Sequence, residues 1–358
     1  MTKRILLTGG GSTGHVAVNL ALIPQFVEED WDIHYIGSHA GIESKLMRQQ
    51  QQVHYIGIAS GKLRRYWSLS NLSDPFRVLL GVAQAYRHIR RIKPHVVFSK
   101  GGFVSVPVVL AARLNGIPVV IHESDLTPGL ANRLVLPYVQ TICTTFEETK
   151  PYIRSSEKVV HLGAIVRKEL FHSSKEEGYR YCQLNPSKKP VIVVMGGSLG
   201  ARAINEAVRK ALPELVTHYQ IVHLCGAGQL DKQQNHPSYR QYEYLSEELP
   251  HVLAMGDMVI TRAGSNSIFE MLALGKPMLL IPLPLSSSRG DQLLNAESFK
   301  KQGYGEVLQE EELTAGSLVR ALERLQARYP SIVQEMRSAQ ARDRTLELVT
   351  LLKQAALD

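Results

Sequence analysis

The sequence predicts an α/β protein built as two doubly wound, parallel-sheet domains facing each other across a cleft. Three observations carry this. Short apolar runs alternate with helically spaced segments almost from end to end. Two of those runs, about half a chain apart, stop abruptly at glycine clusters. Between the halves the alternation pauses over a polar stretch.

Taken in order, strands are expected at 4–7, 33–36, 53–58, 96–99, 119–121, 141–144 and 159–161. Their residues are apolar at consecutive positions, as in strands covered on both faces. Helices are expected between them, for example at 16–28 and 106–114. The stretch 168–189 is polar and reads as the interdomain region. Alternation restarts with strands at 191–195, 221–224, 258–260 and 278–281. Helices follow at 201–212, 267–274, 292–302 and 316–328, and the tail from 331 reads as helical. The expected domains are 1–165 and 166–340, with a C-terminal helix in 341–358 packing across the seam.

At 358 residues the chain has room for two cores, and its 44% hydrophobic content is ordinary. No run reaches the roughly 20 apolar residues needed to span a bilayer. A strand begins almost at once with no signal-peptide layout. Cys143, Cys182 and Cys225 are widely spaced and form no ligand pattern, which suits a reducing cytoplasm. The net charge of +8 favours an anionic partner. Without a zinc-finger or RNP-type motif, nucleic acid is not the expected one.

The glycine clusters carry the first chemical signal. Gly9-Gly10-Gly11-Ser12-Thr13-Gly14 follows the first strand, and Gly196-Gly197-Ser198-Leu199-Gly200 follows the strand at 191–195. A strand that opens into small residues and then a helix presents backbone N–H groups suited to phosphate. Neither cluster is a strict dinucleotide fingerprint or a P-loop. A third loop, Lys100-Gly101-Gly102-Phe103-Val104-Ser105, again follows a strand. His15 falls in the first turn of its helix, where it can serve as a general base or simply cap and pack. Glu270 can accept both hydroxyls of a ribose or pair with a nearby cation. Asp291, Gln292 and Asn295 can read sugar hydroxyls or form a helix N-terminal cluster.

With these residues assembled, the chain resembles the MurG family of bacterial glycosyltransferases, which attach N-acetylglucosamine to lipid-linked muramoyl-pentapeptide. The resemblance spans nearly the whole chain. It rests on the three glycine loops, His122-Glu123-Ser124, residues 163–167, Ala201-Arg202, Arg262-Ala263-Gly264, Glu270 and Gln292 with Asn295-Ala296. It implies a GT-B fold of two Rossmann-like domains, with UDP-N-acetylglucosamine held mainly by the second. It further implies that Gly197, Ser198, Leu199 and Gly200 hold the diphosphate and that Glu270 takes the ribose. Ala263, Gly264, Ser265, Asn266, Ser267, Ile268 and Phe269 would line the nucleotide site, with Leu245 beside the uracil. Arg167 would reach the donor from the interdomain side, and Asp291 and Gln292 would read the sugar. Ser12, Thr13, Gly14, Ser124 and Asp125 would approach the donor from the first domain. Gly10, Gly11, Gly101 and Gly102 would bind the acceptor pyrophosphate. Two departures from the family pattern stand out: the extra hydroxyl within Gly11-Ser12-Thr13-Gly14, and Asp125 where many members carry Asn.

The implied reaction is inverting attack of the muramoyl C4 hydroxyl on the anomeric carbon, with His15 as base. The sequence shows no Asp-x-Asp element of the type that holds a divalent ion in other glycosyltransferases, so neither metal nor cofactor is expected. The undecaprenyl-linked acceptor calls for an anionic inner-membrane surface. Lys62, Arg64, Arg65, Trp67, Phe76, Leu79 and Leu80 interleave the basic, aromatic and aliphatic groups such a contact uses. An amphipathic helix packed on the sheet is the alternative. The expected location is the cytoplasmic face of the membrane, beside other cell-wall synthesis proteins. Rival readings are another lipid acceptor such as diacylglycerol, a dinucleotide-dependent oxidoreductase, or a non-catalytic scaffold.

Overall fold

Ile5, Leu6 and Leu7 are all completely buried, yet they serve two different cores. Side chains alternate across a strand, so Ile5 and Leu7 point to one face and Leu6 to the other. The computed structural model describes residues 2–61, 70–186, 189–197, 200–339 and 342–357. It divides into two compact units, Met1–Ile165 with Arg344–Asp358, and Val166–Asp343.

The first unit holds seven strands: β1 Arg4–Thr8, β2 Asp32–Ser38, β3 Val53–Ile58, β4 Val96–Ser99, β5 Val119–Glu123, β6 Thr141–Thr144 and β7 Val159–His161. All pair in parallel, in the order β3-β2-β1-β4-β5-β6-β7. The helices Thr13–Val27 and Thr345–Ala355 cover the Ile5 and Leu7 face. The helices Ser70–Ile92 and Ser105–Leu114 cover the Leu6 and Ile36 face. The final helix therefore completes the first unit's core with Leu348, Val349, Leu352 and Ala355. Burial of each large aliphatic side chain there contributes roughly 1.5–3 kcal/mol.

The second unit holds β8 Val191–Met195, β9 Gln220–Leu224, β10 Tyr239–Tyr242, β11 Met258–Thr261, β12 Met278–Leu280 and β13 Gly305–Val307. They form a parallel sheet in the order β10-β9-β8-β11-β12-β13. β10 and β13 are absent from the expected strands, being short and carrying polar residues at the sheet edges. The stretch 168–189 is a further correction. Its described part is folded into the second unit, with a helix Lys175–Cys182 capped by Ser174. That helix packs so closely on the helix Leu249–Met255 that a side chain at Gly178 would collide with the His251 carbonyl. The tail is two helices, Tyr329–Ser338 in the second unit and Thr345–Ala355 in the first.

Candidate active site

Doubly wound sheets bind ligands beyond the carboxyl ends of their strands, where the strand order changes direction. In the first unit that point lies between β1 and β4. The loop after β1 leads to Ser12, which caps the helix Thr13–Val27 by accepting from the His15 N–H. His15 Nδ1 lies 2.8 Å from the Gly10 carbonyl oxygen and 3.0 Å from Ser12 Oγ. A carbonyl can only accept, so Nδ1 carries the proton and the imidazole lone pair sits on Nε2. Thr13 is exposed and Gly14 half-buried on the same turn.

The loops after β1 and β4 are joined directly. Gly10 donates its N–H to the Gly101 carbonyl at 3.2 Å. Gly102 has φ +85°, and a side chain there would collide with the Gly10 carbonyl. Gly11 donates to Glu43 Oε2 at 3.2 Å, and the buried Glu43 also accepts from Ser38 N at 3.1 Å. The N–H groups of Gly10 and Gly11 thus point at partners within the protein. Glu43 had no signal in the sequence, since it sits in a short helix Ile42–Met47 without a motif.

Beyond β4 and β5 lies a buried charged cluster. Lys100 is only 3% exposed and donates to Ser124 Oγ. Burial pulls its pKa down, while Glu123 and Asp125 push it back up. Glu123 accepts from Asp125 N at 3.1 Å, Gly129 N at 2.8 Å and Asn132 Nδ2 at 2.9 Å. Burial and Asp125 raise Glu123, against the pull of Lys100 and these donors. His122 is held well below its ordinary value by burial and by Lys100, so its ring is neutral. Ser124 and Asp125 are therefore fixed parts of the first unit's β5 end.

In the second unit the order changes direction between β8 and β11. Gly197 and Gly200 both adopt positive φ, and the Gly200 N–H donates to the Gly197 carbonyl at 3.0 Å. Ser198 and Leu199 lie outside the described residues. A side chain at Gly200 would collide with the Cys225 carbonyl. That carbonyl and Gln229 Oε1 accept from Asn205 Nδ2 at 2.8 and 2.9 Å. Asn205 Oδ1 must then accept from His223 Nε2 at 2.9 Å, which leaves His223 Nδ1 to accept from the Tyr239 hydroxyl at 2.8 Å. Burial, reinforced by Arg209, lowers His223 to about 3, so the relay is built on a neutral ring. Sequence reasoning missed this network because its members are scattered over 205–239.

After β11 the chain passes through Arg262 and the buried Ala263 to Gly264, which precedes the helix Ser265–Ala273. Ser265 and Ile268 are buried, while Asn266, Ser267 and Phe269 are half-buried. Asn295 braces this turn by donating to the Ala263 carbonyl at 3.1 Å. Gln292 Oε1 accepts from Leu283 N at 3.1 Å, and Asp291 pairs with Arg289 at 3.0 Å. Leu245 is buried, with 3% exposure. Arg167 grips Glu270 with two hydrogen bonds, Nε to Oε1 at 2.8 Å and Nη2 to Oε2 at 3.0 Å. The structure thus brings Arg167, Glu270 and the turn 263–270 into one unit, and His15, Ser124 and Asp125 into the other.

On the helix Ser70–Ile92, Gly81, Ala85 and Ile89 are buried, Ala85 and Ile89 in the core and Gly81 against the Ala59 carbonyl and Pro107. Phe76, Leu79 and Leu80 stand out instead, at 74%, 65% and 53% exposure. Their spacing of three and four places them on one helical face. Arg77, Arg87, Arg90 and Arg91 are exposed on the same helix. Lys62, Arg64, Arg65 and Trp67 lie outside the described residues. No helix of the described residues is long and apolar enough to cross a membrane.

The N-terminal domain of glycosyltransferase family 28 matches residues 5–144, and the C-terminal domain of that family matches residues 191–351. The UDP-N-acetylglucosamine--N-acetylmuramyl-(pentapeptide) pyrophosphoryl-undecaprenol N-acetylglucosamine transferase of Geobacillus thermodenitrificans is 53% identical over 357 residues, 99% of this chain and all of that protein. The transferase of the same name from Clostridium novyi is 48% identical over 98% of both chains. Among solved structures, MurG of Acinetobacter baumannii superposes with a TM-score of 0.78 at 24% identity, covering 98% of this chain and 99% of that one. A UDP-GlcNAc 2-epimerase from Neisseria meningitidis bound to UDP-GlcNAc shares the fold at a TM-score of 0.66 and 15% identity, over 99% of this chain and all of that one.

Proposed function

The chain belongs to glycosyltransferase family 28, and from that premise we propose how its own residues carry out the transfer. Its fold is GT-B. It is a MurG-type enzyme that transfers N-acetylglucosamine from UDP-N-acetylglucosamine to muramyl-pentapeptide pyrophosphoryl-undecaprenol in peptidoglycan synthesis. The observation that carries this is 53% identity sustained over the whole length of a relative named for that activity.

Within that reaction, His15 is the general base. The Nδ1 hydrogen bond to the Gly10 carbonyl fixes the tautomer whose lone pair is on Nε2. The acceptor C4 hydroxyl oxygen bonds to the anomeric carbon as its proton passes to Nε2. The bond from that carbon to the diphosphate oxygen breaks, and UDP leaves with the electron pair. A single displacement of this kind inverts the anomeric centre and gives a β1,4 linkage. Charge growing on the leaving diphosphate is met by the Gly197 loop, whose turn is closed by the Gly200 N–H, and by the N-terminal end of the helix Arg202–His218 that follows it. Glu270 accepts the ribose hydroxyls. Asp291 and Gln292, held by Arg289 and Leu283, read the sugar.

The acceptor's lipid tail is met at an anionic membrane surface on the cytoplasmic side. Phe76, Leu79 and Leu80 enter the headgroup boundary, and the arginines of the same helix meet anionic lipid.

The test is a transfer assay with radiolabelled UDP-N-acetylglucosamine and UDP-glucose against a lipid-linked muramoyl acceptor and against diacylglycerol. Transfer of N-acetylglucosamine to the muramoyl acceptor is expected. In the same assay His15→Ala lowers kcat by roughly 10²–10⁴ while UDP still binds. Preference for diacylglycerol would reject the acceptor, and intact turnover in His15→Ala would reject the base.

A further inference from the structure

Arg167 and Glu270 come from distant parts of the chain but belong to the same unit. Arg167 stands one residue inside that unit, just before the short helical turn Lys168–His172. Glu270 is in the second turn of the helix Ser265–Ala273, and its side chain is 12% exposed. Each carboxylate oxygen accepts one N–H from the same guanidinium, at 2.8 and 3.0 Å. Two parallel bonds from a rigid planar fork hold the carboxylate's plane as well as its position, which a point charge cannot do. A carboxylate offers about four lone pairs, so one on each oxygen remains for other donors.

We propose that Arg167 is a positioning residue for nucleoside recognition. It acts on the donor through Glu270, holding the carboxylate so that its remaining lone pairs accept the ribose hydroxyls. This rests on the reading of Glu270 as the ribose acceptor. It predicts that Arg167 controls discrimination at the sugar of the nucleotide, a property that direct contact with the diphosphate would leave unchanged.

The experiment measures binding of UDP and of 2′-deoxy-UDP by titration calorimetry. The two ligands share the diphosphate and the base, so every contact to those groups cancels in the ratio of their affinities. Wild type is expected to prefer UDP by roughly tenfold or more, the weight of a hydrogen bond to a charged acceptor. Arg167→Met and Glu270→Ala should each reduce that preference to about twofold or less, and the double variant should go no further. Arg167→Lys keeps the charge but loses the fork, and should lose most of the preference. It also supplies a reading if Arg167→Met fails to fold.

Loss of preference in Glu270→Ala with full preference retained in the Arg167 variants would overturn the proposal and leave the ribose reading standing. Loss in the Arg167 variants but not in Glu270→Ala would overturn it as well, because Arg167 would then be acting without Glu270. No preference in wild type, or none lost in any variant, would remove the ribose reading itself.

Discussion

The relay behind the second unit's glycine loop gives a sharp pH prediction. His223 has a folded pKa of about 3 against an ordinary 6.5, because it is buried and lies near Arg209. Its folded value is depressed, so the unfolded chain binds the proton more tightly. The stability tied to the neutral ring is complete above pH 6.5 and drains away as pH falls from there towards 3. At pH 5.0 the gap from 6.5 is one and a half pH units, which costs about 2 kcal/mol at 1.36 kcal/mol per unit. The comparison variant is His223→Gln, whose amide can still donate to Asn205 and accept from Tyr239 but cannot titrate. Residues 166–343 contain no tryptophan, so fluorescence does not report this unit. Urea-dependent hydrogen exchange in peptides covering Gln220–Leu224 does. Between pH 7.5 and pH 5.0 the wild type should lose about 2 kcal/mol more than His223→Gln, every other titration cancelling in the difference. Equal losses would show that His223 is not held neutral and would refute the tautomer chain from Asn205 to Tyr239.

Three other outcomes follow from the same geometry. Gly102→Ala should destabilise the first unit by more than about 2 kcal/mol, since it adds a collision with Gly10 to the strain of positive φ. Gly116→Ala is the control, with φ +71° but open space around it, and should cost only about 1 kcal/mol in thermal melts read from Trp31. Lys100→Met removes the cation that counters the buried Glu123 carboxylate and leaves it to its three N–H donors, with an expected loss of about 1–3 kcal/mol at pH 7.5. That deficit should shrink as pH falls, because Glu123, already raised by burial, takes up a proton; a constant deficit would mean the lysine serves packing alone. Phe76→Asp with Leu80→Asp should abolish co-sedimentation with anionic vesicles, whereas Leu346→Asp, also exposed, should leave it unchanged.

Strands such as Val191–Met195 were legible because burial on both faces writes an unbroken apolar run. Tyr239–Tyr242 was not, because an edge strand with Arg240 and Gln241 looks like a loop. The stretch 168–189 read as a boundary because its helix, Lys175–Cys182, buries only Gly178, Tyr179 and Cys182 and leaves its charges in water. The glycine loops were readable as turns, since small residues after a strand have few other uses. What they bond to was not: Glu43 reaches Gly11 from a helix without any motif, and Lys100 finds Ser124 only once β4 and β5 lie side by side. The pairing of Glu270 with a cation was one of two readings open from sequence, and the structure identifies the cation as Arg167.

The chain leaves the first unit after Ile165 and returns to it only at Arg344. On the ribosome, Ile5, Leu7 and Phe98 must therefore wait for Leu348 and Leu352, their cover, until the whole of the second unit has been translated. At about 5–20 residues per second that delay is on the order of ten to thirty seconds. A half-finished sheet spends this interval with a greasy flank open to chaperones or to its neighbours on the polysome. Trimming a dozen residues from the carboxyl end would make the exposure permanent.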